Sequence, residues 1–165
     1  MTDLEQRLAI TEATLAIMRL KARYASLADA KYTDDHRKKP AEERDRIATQ
    51  QAECFTVDGT FDAGPVGGFA QGRAAIFENF RAKPFLFAMH MFTNPAIEVA
   101  ADGATATGRW MHYLLITPEE TRTPIHAMGF TDDRYRRVGE HWLFSHVQVR
   151  FGFAVPFTQP WTPPA

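Results

Sequence analysis

The sequence predicts an α+β fold: a curved, mostly antiparallel sheet forming a cone, with three N-terminal helices over its concave face. Three observations carry this. Before residue 85 the apolar residues recur at helical spacing, and from Phe85 onward they recur at every second position. The breaks between the later segments, "NP", "ADG", "PEETRTP" and "VGEH", have turn chemistry, so consecutive segments are expected to pair antiparallel. Helices followed by a run of long strands give one sheet covered on one side. A cone closed at one end holds a pocket at the other.

The first helix is expected over residues 4–31. Ile10, Ile17, Leu20, Tyr24 and Leu27 make its inward stripe, Glu5, Glu12, Arg19 and Arg23 its outer side, and Thr2 or Asp3 its cap. Pro40 opens the second helix, "PAEERDRIATQQAECF", where its missing N–H costs nothing, and Ile47, Gln51 and Cys54 share one line. A short strand is expected at Thr60–Asp62 and a glycine-rich loop after it. The third helix, "GRAAIFENFRA", turns Ile76, Phe77 and Phe80 inward and ends at Pro84.

Strands are expected at Phe85–Thr93, Ala96–Ala100, Ala104–Thr117, His126–Arg137 and Trp142–Phe153. Residues 154–165 are too proline-rich to continue a sheet and are expected to lie extended over a surface, with Trp161 as an anchor. No repeat, linker or second domain is evident, so 1–165 reads as one domain with its core at about 8–153.

Composition narrows the function. Nineteen basic residues face twenty acidic ones, a net charge of −1 that exerts no long-range pull on nucleic acid or an anionic membrane. No stretch reaches the ~18 apolar residues of a membrane span. The acidic start, "MTDLEQRL", does not read as a signal peptide, so none is expected, and the single cysteine, Cys54, makes no internal disulfide. The cytoplasm is the expected location. Six histidines occur, but no HxxxH, HxH or CxxC spacing, so no metal and no cofactor are expected. Neither a GxSxG elbow nor a nucleotide-binding glycine loop is present.

Alternation places the candidate site. On the third long segment, Trp110, His112, Leu114 and Ile116 share the more apolar face, which points inward. On Phe85–Thr93, His90 shares a face with Ala88 and Phe92, while Phe87, Met89 and Met91 are equally apolar, so the phase stays open. On the last strand the set Trp142, Phe144, His146, Gln148 and Arg150 is taken as concave. Asp29 ends an apolar helical stretch, "ASLADA", where a buried unpaired carboxylate would cost several kcal/mol. A histidine beside it offsets that cost, is held in one tautomer, and keeps its far nitrogen free as a base. Tyr24, five residues earlier, is about 140° around the helix.

These residues also carry a resemblance. "RYASLAD", "CFTVDGTFD", "GRAAIFENF", "HMFTNPAIEVAADGATATGRW" and "DDRYRRVGEHW", in that order over about residues 8–153, resemble the SnoaL-like branch of the nuclear transport factor-like superfamily. The resemblance implies the cone fold, a deep pocket for small hydrophobic molecules, and a homo-oligomer, dimer or trimer, formed through the outer sheet. The chain is most similar to the branch that holds scytalone dehydratase, bile acid 7α-dehydratase and hexachlorocyclohexane dehydrochlorinase. There an Asp–His pair implies catalytic roles for Asp29 and His90, with Tyr24 and a second pocket histidine, His112, as donors and Arg150 as a binder of an acidic or carbonyl end. The stretch between Asp29 and Phe55 is longer than the family pattern.

The expected function is therefore a cofactor-independent lyase of dehydratase type, or an isomerase, acting on a small hydrophobic, cyclic molecule. Trp110, Phe92, Phe55 and Phe130 are the expected apolar walls. The alternative is a non-catalytic binding or subunit module of the same fold, in which Asp29 and His90 form a structural ion pair; fold alone does not decide.

Overall fold

The computed structural model describes residues 2–157, apart from the side chain of Pro65. In chain order the elements are α1 (Asp3–Asp29), α2 (Ala41–Ala52), β1 (Phe55–Asp62), α3 (Gly64–Gly67), β2 (Phe69–Gln71), α4 (Arg73–Arg81), β3 (Phe85–Val99), β4 (Thr105–Pro118), β5 (Ile125–Val138) and β6 (His141–Pro156). The six strands form one sheet in the order β2-β1-β6-β5-β4-β3. All pairings are antiparallel except β1 with β6, which are parallel. The α+β cone is as expected, with α3 only a single turn in the glycine-rich segment.

The N-terminus of α1 is fixed by a capping box: the Thr2 side chain accepts from the Glu5 N–H and the Glu5 carboxylate accepts from the Thr2 N–H. Ile17, Leu20, Lys21, Tyr24 and Ala28 form its buried stripe. Ile10, placed on that stripe by periodicity, is 42% exposed, because the first three turns of α1 stand clear of the sheet. Inside, Tyr24 meets Phe144, Phe55 and Phe80 at centroid distances of 5.4, 6.0 and 6.0 Å. Each such side chain, when buried, contributes about 1.5–3 kcal/mol. Ile47, Gln51 and Cys54 are all buried, as their common line on α2 requires. Burial pushes the Cys54 thiol up to about 11, which makes it a core residue rather than a nucleophile.

Three strand boundaries differ from expectation. "NP" does not end a strand: β3 runs on through it, with a register shift between Thr93 and Ala96 and Asn94 at φ 50°. Asparagine tolerates that left-handed backbone, so the chain bends as a bulge instead of turning. The short strand expected at Thr60–Asp62 begins earlier, at Phe55, because β1 pairs alongside β6. Ala154, Val155 and Pro156 continue β6 rather than leaving the sheet; Pro156 closes the strand opposite Ile125. Trp161 lies outside the described residues. Among the described residues no helix is long and apolar enough to cross a membrane.

Candidate active site

Asp29 is the last residue of α1, which aims its carboxylate across the open edge of the sheet at β3. Its Oδ1 lies 2.7 Å from His90 Nδ1. The main-chain N–H of His90 also donates to both carboxylate oxygens, at 3.0 and 3.2 Å. One carboxylate thus holds both the backbone and the ring of the same residue, which fixes the imidazole's position as well as its tautomer. The side chains are 32% and 19% exposed.

His90 lines a cavity of about 60 Å³ inside the cone, together with Tyr24, Lys83, Phe92, His112, Leu114, Thr131, Val149 and Phe151. This decides the phase of β3: His90 and Phe92 face the cavity, and Met89 and Met91 face outward. The angle between Tyr24 and Asp29 is no obstacle. Tyr24 enters the cavity wall, while Asp29 supports His90 from behind and is not part of that wall.

His112 stacks on Phe92 at 4.6 Å and 7°, and lies parallel to the His90 ring at 5.9 Å. It is 3% exposed, and neither ring nitrogen has a hydrogen-bond partner among the described residues. Burial, then the neighbouring His90 and Lys21, lowers its pKa to about 3, so the ring is neutral. Burial likewise raises the Tyr24 phenol above its ordinary range, helped by Asp133, so it stays a protonated donor.

Beneath the cavity lies a buried polar network that the sequence reading did not include. Lys21 Nζ donates to Asp133 Oδ2 at 2.7 Å and to Thr131 Oγ1 at 2.8 Å, with the Phe92 ring 4.1 Å away. Tyr135 donates to the same Asp133 oxygen at 2.8 Å and accepts from Trp110 Nε1 at 2.9 Å. Burial pulls the Lys21 pKa down and Asp133 pulls it back up. Thr131 Oγ1 accepts from Lys21, and the same residue lines the cavity. The signal was available: position 21 falls on the helical stripe between Ile17 and Tyr24.

Several expected site residues lie elsewhere. Arg150 does not face the cavity. It points outward and pairs with Asp132 at 3.1 Å, its side chain 63% exposed. The cause is a bulge in β6. His146 pairs with Arg134 and Phe144 with Tyr135, leaving Ser145 as an extra residue that reverses the alternation. Trp142 and Phe144 face inward as expected, but beyond the bulge Val147, Val149 and Phe151 replace His146, Gln148 and Arg150. Phe130 is also outside, 46% exposed, with the Arg109 guanidinium 5.9 Å from its ring. Trp110 and Phe55 are buried but stand behind the cavity lining. Among the described residues no three His, Cys, Asp or Glu side chains are grouped to hold a metal ion.

A larger groove, of about 410 Å³, lies between the N-terminal half of α1 and the turns after β3 and β5; it contains no histidine.

The family model described as a SnoaL-like domain matches residues 44–148. No curated protein sequence matches the chain. Among solved structures, a hexachlorocyclohexane dehydrochlorinase (LinA) of type 2 superposes with a TM-score of 0.78 at 15% identity, over 96% of this chain and 98% of that one. A putative scytalone dehydratase from Novosphingobium aromaticivorans gives 0.70 at 18% identity, over 93% and 96%. ActVI-ORFA from Streptomyces coelicolor gives 0.61 at 18%, over 84% and 96%. At these identities the likeness establishes the shared fold.

Proposed function

We propose that this chain, a member of the SnoaL-like domain family, is a single-domain lyase or isomerase that works by general acid–base catalysis on a small hydrophobic, cyclic molecule. The observation that carries the reading is the 2.7 Å contact between Asp29 Oδ1 and His90 Nδ1, with His90 in the wall of an apolar cavity. The named activities of the dehydrochlorinase and the dehydratase lend it support.

In this mechanism Asp29 accepts the Nδ1–H of His90, leaving the Nε2 lone pair as the base. Nε2 takes a proton from a carbon next to a carbonyl or leaving group. In an elimination the C–H electron pair becomes the new C=C bond and the bond to the leaving group breaks with its electrons going to that group; a hydroxide takes the proton from the His90 imidazolium and leaves as water, whereas a chloride leaves as the ion and the imidazolium returns its proton to solvent. In an isomerisation the same proton returns at another carbon. Asp29 stabilises the imidazolium formed in between. Tyr24, His112 and the Thr131 hydroxyl donate to the developing negative charge, and donors held in place among apolar walls stabilise it strongly. No metal or cofactor takes part in this scheme.

The same reading includes self-association. The outer sheet face carries the row Met91–Tyr113–Met128–Phe153 and, beside it, exposed Met89 and Val155.

The test is proton exchange. Cyclic β-hydroxy and β-chloro ketones are incubated with the protein in D2O and followed by ¹H NMR for exchange or elimination. A histidine base contributes about 10²- to 10⁴-fold, so His90→Gln should lose that much and Asp29→Asn a large part of it. If every reaction the wild type accelerates runs equally fast in His90→Gln, the mechanism is wrong.

A further inference from the structure

The cavity has an unbalanced positive charge at one end. Lys83 sits between α4 and β3 and lines the same cavity as His90. Its Nζ donates to the Gly67 carbonyl at 2.5 Å and lies 5.3 Å from the Phe61 ring centroid. Among the described residues no carboxylate comes within 4 Å of it, unlike its neighbour Lys38, which pairs with Glu119. Lys83 and Arg44 both disfavour the charge of the buried Lys31, against Asp29, which favours it. Burial is the one cause that lowers the Lys83 pKa, to about 8, with no opposing contribution from a nearby acid.

A half-buried ammonium that meets a carbonyl and an aromatic ring, and no carboxylate among the described residues, has lost hydration without gaining a counter-charge. A ligand anion supplies that charge and a charge-assisted hydrogen bond. The role assigned to Arg150 from sequence is vacant, because Arg150 faces solvent on the other side of the sheet.

We propose that Lys83 is the anion-recognising residue of this cavity, and that the substrate is a small, largely apolar carboxylic acid whose carboxylate meets the Lys83 ammonium while its carbon skeleton lies against the apolar wall of Phe92 and Leu114. The proposal rests on the reading of this cavity as the substrate site. A single ammonium among aromatic and aliphatic walls suits a monoanionic carboxylate; a phosphate calls for several donors.

The probes are benzoate and its neutral isostere benzamide. Each is titrated into the protein near neutral pH and followed by the backbone amide signals of cavity residues in ¹H–¹⁵N NMR. Benzoate should shift them saturably, and benzamide should bind at least tenfold more weakly, a comparison that needs no variant. Lys83→Met should weaken benzoate at least tenfold and leave benzamide unchanged, while Lys83→Arg, which keeps the charge, should stay within a few-fold of wild type. His90→Gln should still bind benzoate. Loss of the dyad chemistry and loss of anion recognition are thereby read separately. The proposal is overturned if benzoate fails to shift the cavity signals, if benzamide binds as tightly, or if Lys83→Met binds benzoate like wild type.

Discussion

Replacing His112 by phenylalanine should make the protein more stable, by an amount that grows as the pH falls. The imidazole is 3% exposed and both ring nitrogens lack partners among the described residues. An unsatisfied buried polar group costs about 1–3 kcal/mol. A phenyl ring keeps the stack on Phe92 and removes both nitrogens, so His112→Phe should gain about 1–3 kcal/mol at pH 7.5. The pH dependence follows from linkage. Burial lowers the folded-state pKa of His112 from 6.5 to about 3. Between those values the unfolded chain holds a proton that the folded chain does not, so stability falls as the pH falls, by about 1.4 kcal/mol per unit. Two units of that window, from 6.5 to 4.5, remove about 3 kcal/mol from the wild type and nothing from the variant. The advantage of His112→Phe should therefore rise to about 4–6 kcal/mol at pH 4.5. Urea unfolding followed by tryptophan fluorescence at pH 7.5 and 4.5 measures both. Because the carboxylates are common to the two proteins, the difference of differences isolates residue 112. An advantage that does not change with pH, or a variant less stable at pH 7.5, would show that the buried imidazole carries no such cost. Under the proposed mechanism the gain in stability comes with a loss of activity, because His112 is one of the donors to the developing charge.

Two further variants probe the buried cations. Lys21→Met leaves the Asp133 carboxylate buried without its ammonium and should cost about 3–5 kcal/mol, whereas Lys21→Met/Asp133→Leu should recover most of that; urea midpoints of the two variants decide. Lys31 donates to Gln51 Oε1 and the Phe80 carbonyl, yet burial, with help from Lys83 and Arg44 and against Asp29, lowers its pKa to about 7. Its folded pKa lies below the unfolded 10.5, so the unfolded chain binds the proton more tightly and stability rises with pH above about 7. Lys83 contributes in the same direction above about 8. Wild-type stability should climb between pH 7 and 9 by at most about 3 kcal/mol for Lys31, and Lys31→Met should flatten the climb, as read from urea midpoints at the two pH values.

Much of this arrangement was legible in the sequence, for reasons of local periodicity. The inward face of β4, with Trp110, His112, Leu114 and Ile116, follows from alternation because that strand is regular throughout its pairing with β5. The dyad followed from a carboxylate ending an apolar helix and an imidazole inside an apolar strand, and the resemblance then supplied the pairing. What alternation misjudged was β6. It assumes an unbroken period of two, and one extra residue at Ser145 sent Arg150 outward and brought Val149 and Phe151 in. Pairing of strands is a long-range property, so the bulge has no local signature. "NP" failed in the opposite sense: turn residues accommodated a bend within a continuous strand. Lys21 has a charge that suits a surface, yet its place on the α1 stripe marks it as buried; Asp133, its partner, is 112 residues away. Lys83 lies in a connection between elements, where periodicity says nothing about direction.

The proposed mechanism requires that Asp29 hold His90 as the Nδ1–H tautomer and leave Nε2 bare toward the cavity. Imidazole ¹⁵N chemical shifts of His90, recorded at pH 7.5 in the wild type and in Asp29→Asn, read it directly. A protonated Nδ1 and an unprotonated Nε2 are expected in the wild type, with a tautomer mixture in the variant. A wild-type ring protonated at Nε2, or a tautomer indifferent to Asp29→Asn, would contradict it.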